Sequence, residues 1–154
     1  GAYHSVVKQA QEEFGDQVRF VFRHFPLTQI HKNAFLAAKA SEAAGKQGKF
    51  WEMHDKLFET QGTWSKLPNA QGIFISYATD LGLDVAVFEQ DLTDTALAKK
   101  IQDSYKQGQD VGVSGTPTFF LNSKKIENPR GYAELSQLLK AELAATSTSS
   151  STEQ

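Results

Sequence analysis

The sequence contains no cysteine. Thiol–disulfide exchange needs a thiolate to attack a disulfide sulfur. This chain by itself therefore carries out no dithiol chemistry, forms no disulfide and offers no thiolate to a metal. It also has no run of about 18 apolar residues, the length that a membrane-crossing helix needs. Charge is nearly balanced, with 16 Lys and Arg against 18 Asp and Glu and a net charge of −2. That excludes a strong electrostatic pull toward nucleic acid or an anionic membrane. No phosphate-binding glycine loop and no Gly-x-Ser-x-Gly occur, so Ser114 reads as a loop residue and not as a nucleophile. Of the four histidines (His4, His24, His31 and His54) no two stand at the i, i+4 spacing of a helical zinc pair. No metal and no cofactor is expected. The first residue is Gly1, and no signal peptide begins there.

What is present suits one globular domain: 154 residues, 40% hydrophobic and 22% charged. Tyr3, Val6, Val7, Ala10 and Phe14 recur at helical spacing and predict a helix over residues 2–14. Val18 to Phe25 is rich in β-branched and aromatic residues and reads as a buried strand that Pro26 stops. Residues 32–107 read as helical almost throughout. Asn33 to Ala44 is expected to end at Gly45, and Lys49 to Glu59 turns Phe50, Met53, His54, Leu57 and Phe58 to one face. Trp64 to Pro68 reads as a loop, Asn69 or a neighbour opens a helix that Gly82 closes, Asp84 suits an N-cap, and Thr93 or Asp94 caps the next helix. Gly108 to Gly112 should break the pattern. Then come a strand at Thr118–Leu121, a turn at Asn122–Lys125, a short edge strand at Lys125–Glu127 and a helix over Gly131–Ala144. Residues 145–154 are mostly Ser, Thr and Ala and are expected to be a disordered tail after a single domain at 1–144.

One stretch carries more meaning than its composition. Gly112-Val113-Ser114-Gly115-Thr116-Pro117-Thr118-Phe119-Phe120 places a glycine and then a proline at the head of an apolar strand. Proline is tolerated there because the first residue of a strand need not donate to the ladder. Upstream stand Phe20-Val21-Phe22-Arg23-His24-Phe25-Pro26-Leu27 and Ala43-Ala44-Gly45-Lys46-Gln47-Gly48-Lys49-Phe50-Trp51-Glu52-Met53-His54-Asp55-Lys56-Leu57-Phe58. Together, in this order, the three blocks resemble the DsbA-like branch of the thioredoxin superfamily. The resemblance covers roughly residues 1–143.

That resemblance implies a thioredoxin-like α/β fold with a helical insertion at about residues 32–107, lacking its first strand in this chain. It implies a Cys-x-x-Cys just before Gly1 in a longer parent, so no catalytic residue is expected within the chain. Val113, Gly115, Thr116 and Pro117 would form a cis-proline loop that binds an extended peptide, with the Thr116 backbone as its main contact. His4 would be a possible modulator of the upstream thiolate; otherwise it is a helix residue without a role. The implied partners are protein or peptide substrates bearing thiols or disulfides, and a redox partner protein for the parent. The implied location is extracytoplasmic, in a periplasm or on a cell surface. The other reading is a redox-inactive module of the same fold that binds peptides or proteins. The lost strand is expected to lie between two surviving ones, so the chain alone is expected to be unstable, swapped or prone to aggregate.

The remaining aromatic and histidine residues read mainly as structure. Phe50, Trp51, Phe58, Trp64, Phe74 and Tyr77 fall at core spacing, although part of the set could line an apolar groove. His24 and His54 read as satisfied structural histidines, at a strand end and on the insertion's inward face.

Overall fold

The computed structural model describes residues 2–149. They form two compact units, one of Arg23–Thr116 and one made of Ala2–Phe22 together with the chain from Pro117 on. The helical block expected at about residues 32–107 is present, and the described sheet is small, with two strands.

The first unit is helical: α2 (Ala34–Lys46), α3 (Phe50–Glu59), the short α4 (Gln61–Trp64), α5 (Gln71–Asp80), α6 (Val85–Leu92) and α7 (Thr95–Asp110). Helix α2 is its axis and packs against α3, α5, α6 and α7. It can do so because Ala37, Ala40, Ala43 and Ala44 are buried and let four neighbours approach closely. Large side chains fill the space between helices. Met53, Phe74 and Phe88 are fully buried, and Trp64 stands edge-on to Phe74 at 5.3 Å between ring centres. Removing a buried ring such as Phe74 typically costs about 3–5 kcal/mol.

Several polar groups in this core have hydrogen-bond partners, while Asp91 Oδ2 in α6 is buried without one. The Trp64 indole donates to the Leu57 carbonyl at 2.8 Å. Buried Asn33 donates through Nδ2 to the carbonyls of Trp64 and Leu67, at 3.1 and 2.9 Å, and so fastens the turn after α4. Asp84 and Asp94 cap α6 and α7, accepting from the amides of Val87 and Ala96 as their positions suggest.

Two glycines do other work than expected. Gly45 does not end α2; that helix runs on to Lys46, and Gly48, at φ +77°, is the left-handed residue that closes it. Gly45 is instead where the Phe50 ring lies against the helix: a Cβ there would come within 3.3 Å of Phe50. Gly108 likewise does not break α7. A Cβ on it would stand 2.7 Å from the Phe25 ring, so it is the notch that admits Phe25. Gly112, at φ +77°, ends the helix.

The second unit holds α1 (Ala2–Phe14), β1 (Phe119–Leu121), β2 (Lys124–Ile126) and α8 (Tyr132–Ser149). Helices α1 and α8 bury Ala10 and Phe14 against Leu135 and Leu139, with Val18, Phe20 and Leu121 packed onto the same cluster. Lys140 bridges the two helices, 3.1 Å from Glu13 and above the Phe14 ring. The strands pair antiparallel, Phe119 opposite Ile126 and Leu121 opposite Lys124. Asn122 and Ser123 turn between them at φ +45° and +67°, the left-handed pair of a two-residue hairpin.

The strand expected at Val18–Phe25 is not formed. The segment has no regular secondary structure, and the described sheet contains only β1 and β2. Its side chains alternate over the first four residues only, Val18 and Phe20 half-buried, Arg19 and Val21 exposed, and Phe22 and Arg23 are exposed as well. What it lacks is a neighbouring strand, and a ladder needs two. Helix α8 also runs past Ala144 through the first part of the expected tail, to Ser149, where alanines favour helix and nothing breaks it. Residues 150–154 of that expected tail lie outside the described residues.

Ser123 holds a left-handed conformation that costs an L-residue roughly 1–2 kcal/mol and glycine nothing. Ser123→Gly should therefore raise the urea midpoint, by less than about 1 kcal/mol after glycine's added chain entropy. A lower midpoint at unchanged slope would contradict the turn geometry.

Candidate functional site

The sequence places Val113, Gly115, Thr116 and Pro117 in one short stretch, and the structure gives that stretch a defined entry and exit. Entry is the C-terminus of α7. After Gly112 reverses the chain, the Val113 amide donates back to the Gly108 carbonyl at 2.9 Å. Ser114, Thr116 and Pro117 are exposed, and Val113 and Gly115 are half-buried. A Cβ built on Gly115 meets no atom within 4 Å, so this glycine is not required by packing. The boundary between the two compact units falls between Thr116 and Pro117. Exit is β1, which begins two residues after Pro117, with the Phe119 ring 5.6 Å from that of Tyr3.

Beside the exit is a shallow cleft of about 430 Å³ lined by Pro117, Thr118, Lys125, Ile126, Glu127 and Asn128. Asn128 donates through Nδ2 to the Pro117 carbonyl at 2.9 Å. His4 sits half-buried in the first turn of α1.

A second polar constellation escaped the sequence reading. Glu42 lies on the buried side of α2, and each of its oxygens has a partner: Oε1 is 3.1 Å from His24 Nε2, and Oε2 accepts from Lys100 Nζ at 2.5 Å. Ser104 Oγ donates to the His24 carbonyl at 2.9 Å, and Phe25 stacks on Tyr105 at 4.4 Å. The segment that enters the helical unit is thus pinned to α2 and α7. Burial pushes the Glu42 carboxyl up, but the hydrogen bonds from His24 and Lys100 and their positive charge outweigh it, and its pKa lies below the usual 4.5. A signal was available: Glu42 falls on the alanine face of α2, four residues after Ala38, where an inward carboxylate requires partners.

His54 is buried in α3. Its Nδ1 is 3.0 Å from Asp55 Oδ1, and its ring is enclosed by Phe50, Trp51 and Phe58. Of the aromatic set read as core, Trp64, Phe74 and Tyr77 are buried, Phe50 and Phe58 are half-buried, and Trp51 is 39% exposed.

The family model described as thioredoxin matches residues 2–141. The chain belongs to the thioredoxin family. Its fold is similar to the crystal structure of a thioredoxin-like oxidoreductase from Silicibacter pomeroyi DSS-3, with 27% identity and a TM-score of 0.69 over 93% of this chain and 78% of that one. Among curated proteins it is similar to the Na(+)/H(+) antiporter NhaA 1 of Mycobacterium sp. (strain KMS), 36% identical over 88% of this chain and 22% of that protein. The Na(+)/H(+) antiporter NhaA 1 of Salinispora arenicola (strain CNS-205) is 40% identical over 84% of this chain and 19% of its own length. The chain thus spans about a fifth of the length of the curated relatives it matches.

A carboxylate whose folded pKa lies below its unfolded value adds stability above the unfolded value and loses it as pH falls through the folded one. The Glu42 contribution should therefore be complete well above pH 4.5 and be lost progressively as pH falls from there through the lower folded pKa. Melting temperature against pH for the wild type and Glu42→Gln measures this. The wild type should lose more stability than the variant below pH 4.5, and parallel curves would show that Glu42 is not held as described.

Proposed function

We propose that this chain is the substrate-holding part of a DsbA-like protein thiol–disulfide oxidoreductase. The observation that carries the reading is the proline loop Val113–Pro117, exposed at Ser114, Thr116 and Pro117 and leading into β1, in a chain of the thioredoxin family. The similarity to a thioredoxin-like oxidoreductase supports the reaction class. In the parent, a cysteine thiolate upstream of Gly1 attacks a substrate disulfide. One substrate sulfur becomes bonded to the enzyme, the other leaves as a thiolate, and the second enzyme cysteine resolves the mixed disulfide. The loop's part is to hold the extended partner while those bonds exchange. His4, in the first turn of α1, would stand near such a thiolate and favour it electrostatically when protonated. Substrates are protein or peptide thiols and disulfides, a separate protein resets the redox pair, and the work is extracytoplasmic.

A second reading has its own support. The curated relatives are named antiporters, of which this chain matches about a fifth, and the chain has no cysteine. On that reading it is a redox-inactive module attached to a larger protein, binding peptides or partners with the same loop. The two readings part at the residues upstream of Gly1: Cys-x-x-Cys favours the first, and any other pair favours the second.

The test is insulin reduction by this polypeptide and by the longer product of its gene. The chain alone should give no turnover, and the longer product should give turnover that falls in Pro117→Ala, because the loop no longer captures the peptide. Turnover by the chain alone, or an inactive longer product, would defeat the first reading.

A further inference from the structure

We infer that Asn128 is a positioning residue for the peptide-binding loop. This rests on the reading of Val113–Pro117 as a peptide site. Asn128 lies outside that loop in sequence, after β2, and reaches back to it: its Nδ2 donates to the Pro117 carbonyl at 2.9 Å. Its own backbone is well placed to serve as an anchor. It precedes Pro129, which restricts residue 128 to extended conformations. Pro129 is itself fully buried, so the segment that bears Asn128 is fixed to the body of its unit. Asn128 is exposed, so the bond is not forced by burial of either group; another surface residue would be tolerated there, but without the bond.

The physical consequence is preorganisation. Pro117 has no amide hydrogen, so its carbonyl is its only backbone hydrogen-bonding group. With that carbonyl held by Asn128, the Pro117 peptide unit is tied to the hairpin exit. Thr116, which proline pushes toward extended geometry, is left at the exposed side of the loop. Strand addition needs such a backbone already extended, because ordering it on binding would subtract from affinity. Asn128 and Pro117 also line one cleft, together with Lys125 and Glu127.

The experiment is fluorescence anisotropy with a fluorescein-labelled decapeptide of alternating valine and threonine, titrated with the wild type, Asn128→Ala and Asn128→Asp. Loss of one hydrogen bond should weaken binding roughly three- to tenfold in Asn128→Ala. Asn128→Asp, which sets a carboxylate against a carbonyl, should weaken it at least as much. A spectroscopic signature separates positioning from general damage. In carbon-detected NMR the Pro117 carbonyl resonance should move upfield in both variants, while the resonances of the α1–α8 core stay in place. If both variants bind as the wild type does, or if the Pro117 carbonyl does not shift, Asn128 is not a positioning residue. If the wild type itself does not bind the peptide, the fault lies with the reading of the loop as a peptide site.

Discussion

A strand's backbone is stable only where its hydrogen bonds have somewhere to go, and β1 has one strand beside it. Its partner β2 occupies one edge through the Asn122–Ser123 turn. The segment at Val18–Phe22 has the composition of a strand, alternates in burial only as far as Val21, and packs Val18 and Phe20 on the same apolar cluster as Leu121. It nevertheless joins no ladder. Every buried peptide group without a partner costs about 1–3 kcal/mol, which is the cost a further strand beside this segment would remove. The second unit is consequently held by helix packing, α1 on α8, more than by its sheet.

The helical unit solves a different problem. Its axis, α2, is made narrow by alanine so that four helices can touch it, and two of the polar side chains that end up inside hold their neighbours in place. Asn33 satisfies two carbonyls, and Glu42 takes a partner on each oxygen. These contacts fix the two ends that matter to the loop. His24 and Phe25 are bound to α7, and α7 ends at Gly112, which aims the chain into Val113 and the proline loop.

Periodicity made the helices legible, because apolar residues at 3–4 spacing report burial directly. Pro117 fixes its own φ whatever surrounds it, so a bend before β1 could be read locally, whereas Gly115 imposes nothing by itself. Gly45 and Gly108 were misread for the complementary reason. A glycine that ends a helix and a glycine that admits an aromatic ring look alike in sequence, and only the positions of Phe50 and Phe25 tell them apart. Val18–Phe25 was misread because strand composition states a preference, whereas pairing depends on a neighbour elsewhere in the chain. Asn33, Glu42 and Asn128 act through partners 11 to 58 residues away, a separation that no local pattern encodes.

The central claim is that Val113–Pro117 is a surface for extended peptide. Amide chemical-shift mapping of the isotopically labelled chain, during titration with an extended peptide, tests it directly. The account predicts saturable shifts concentrated at Val113, Gly115, Thr116 and Thr118. Shifts confined to the helical unit's outer faces, with those four amides unmoved, would contradict it.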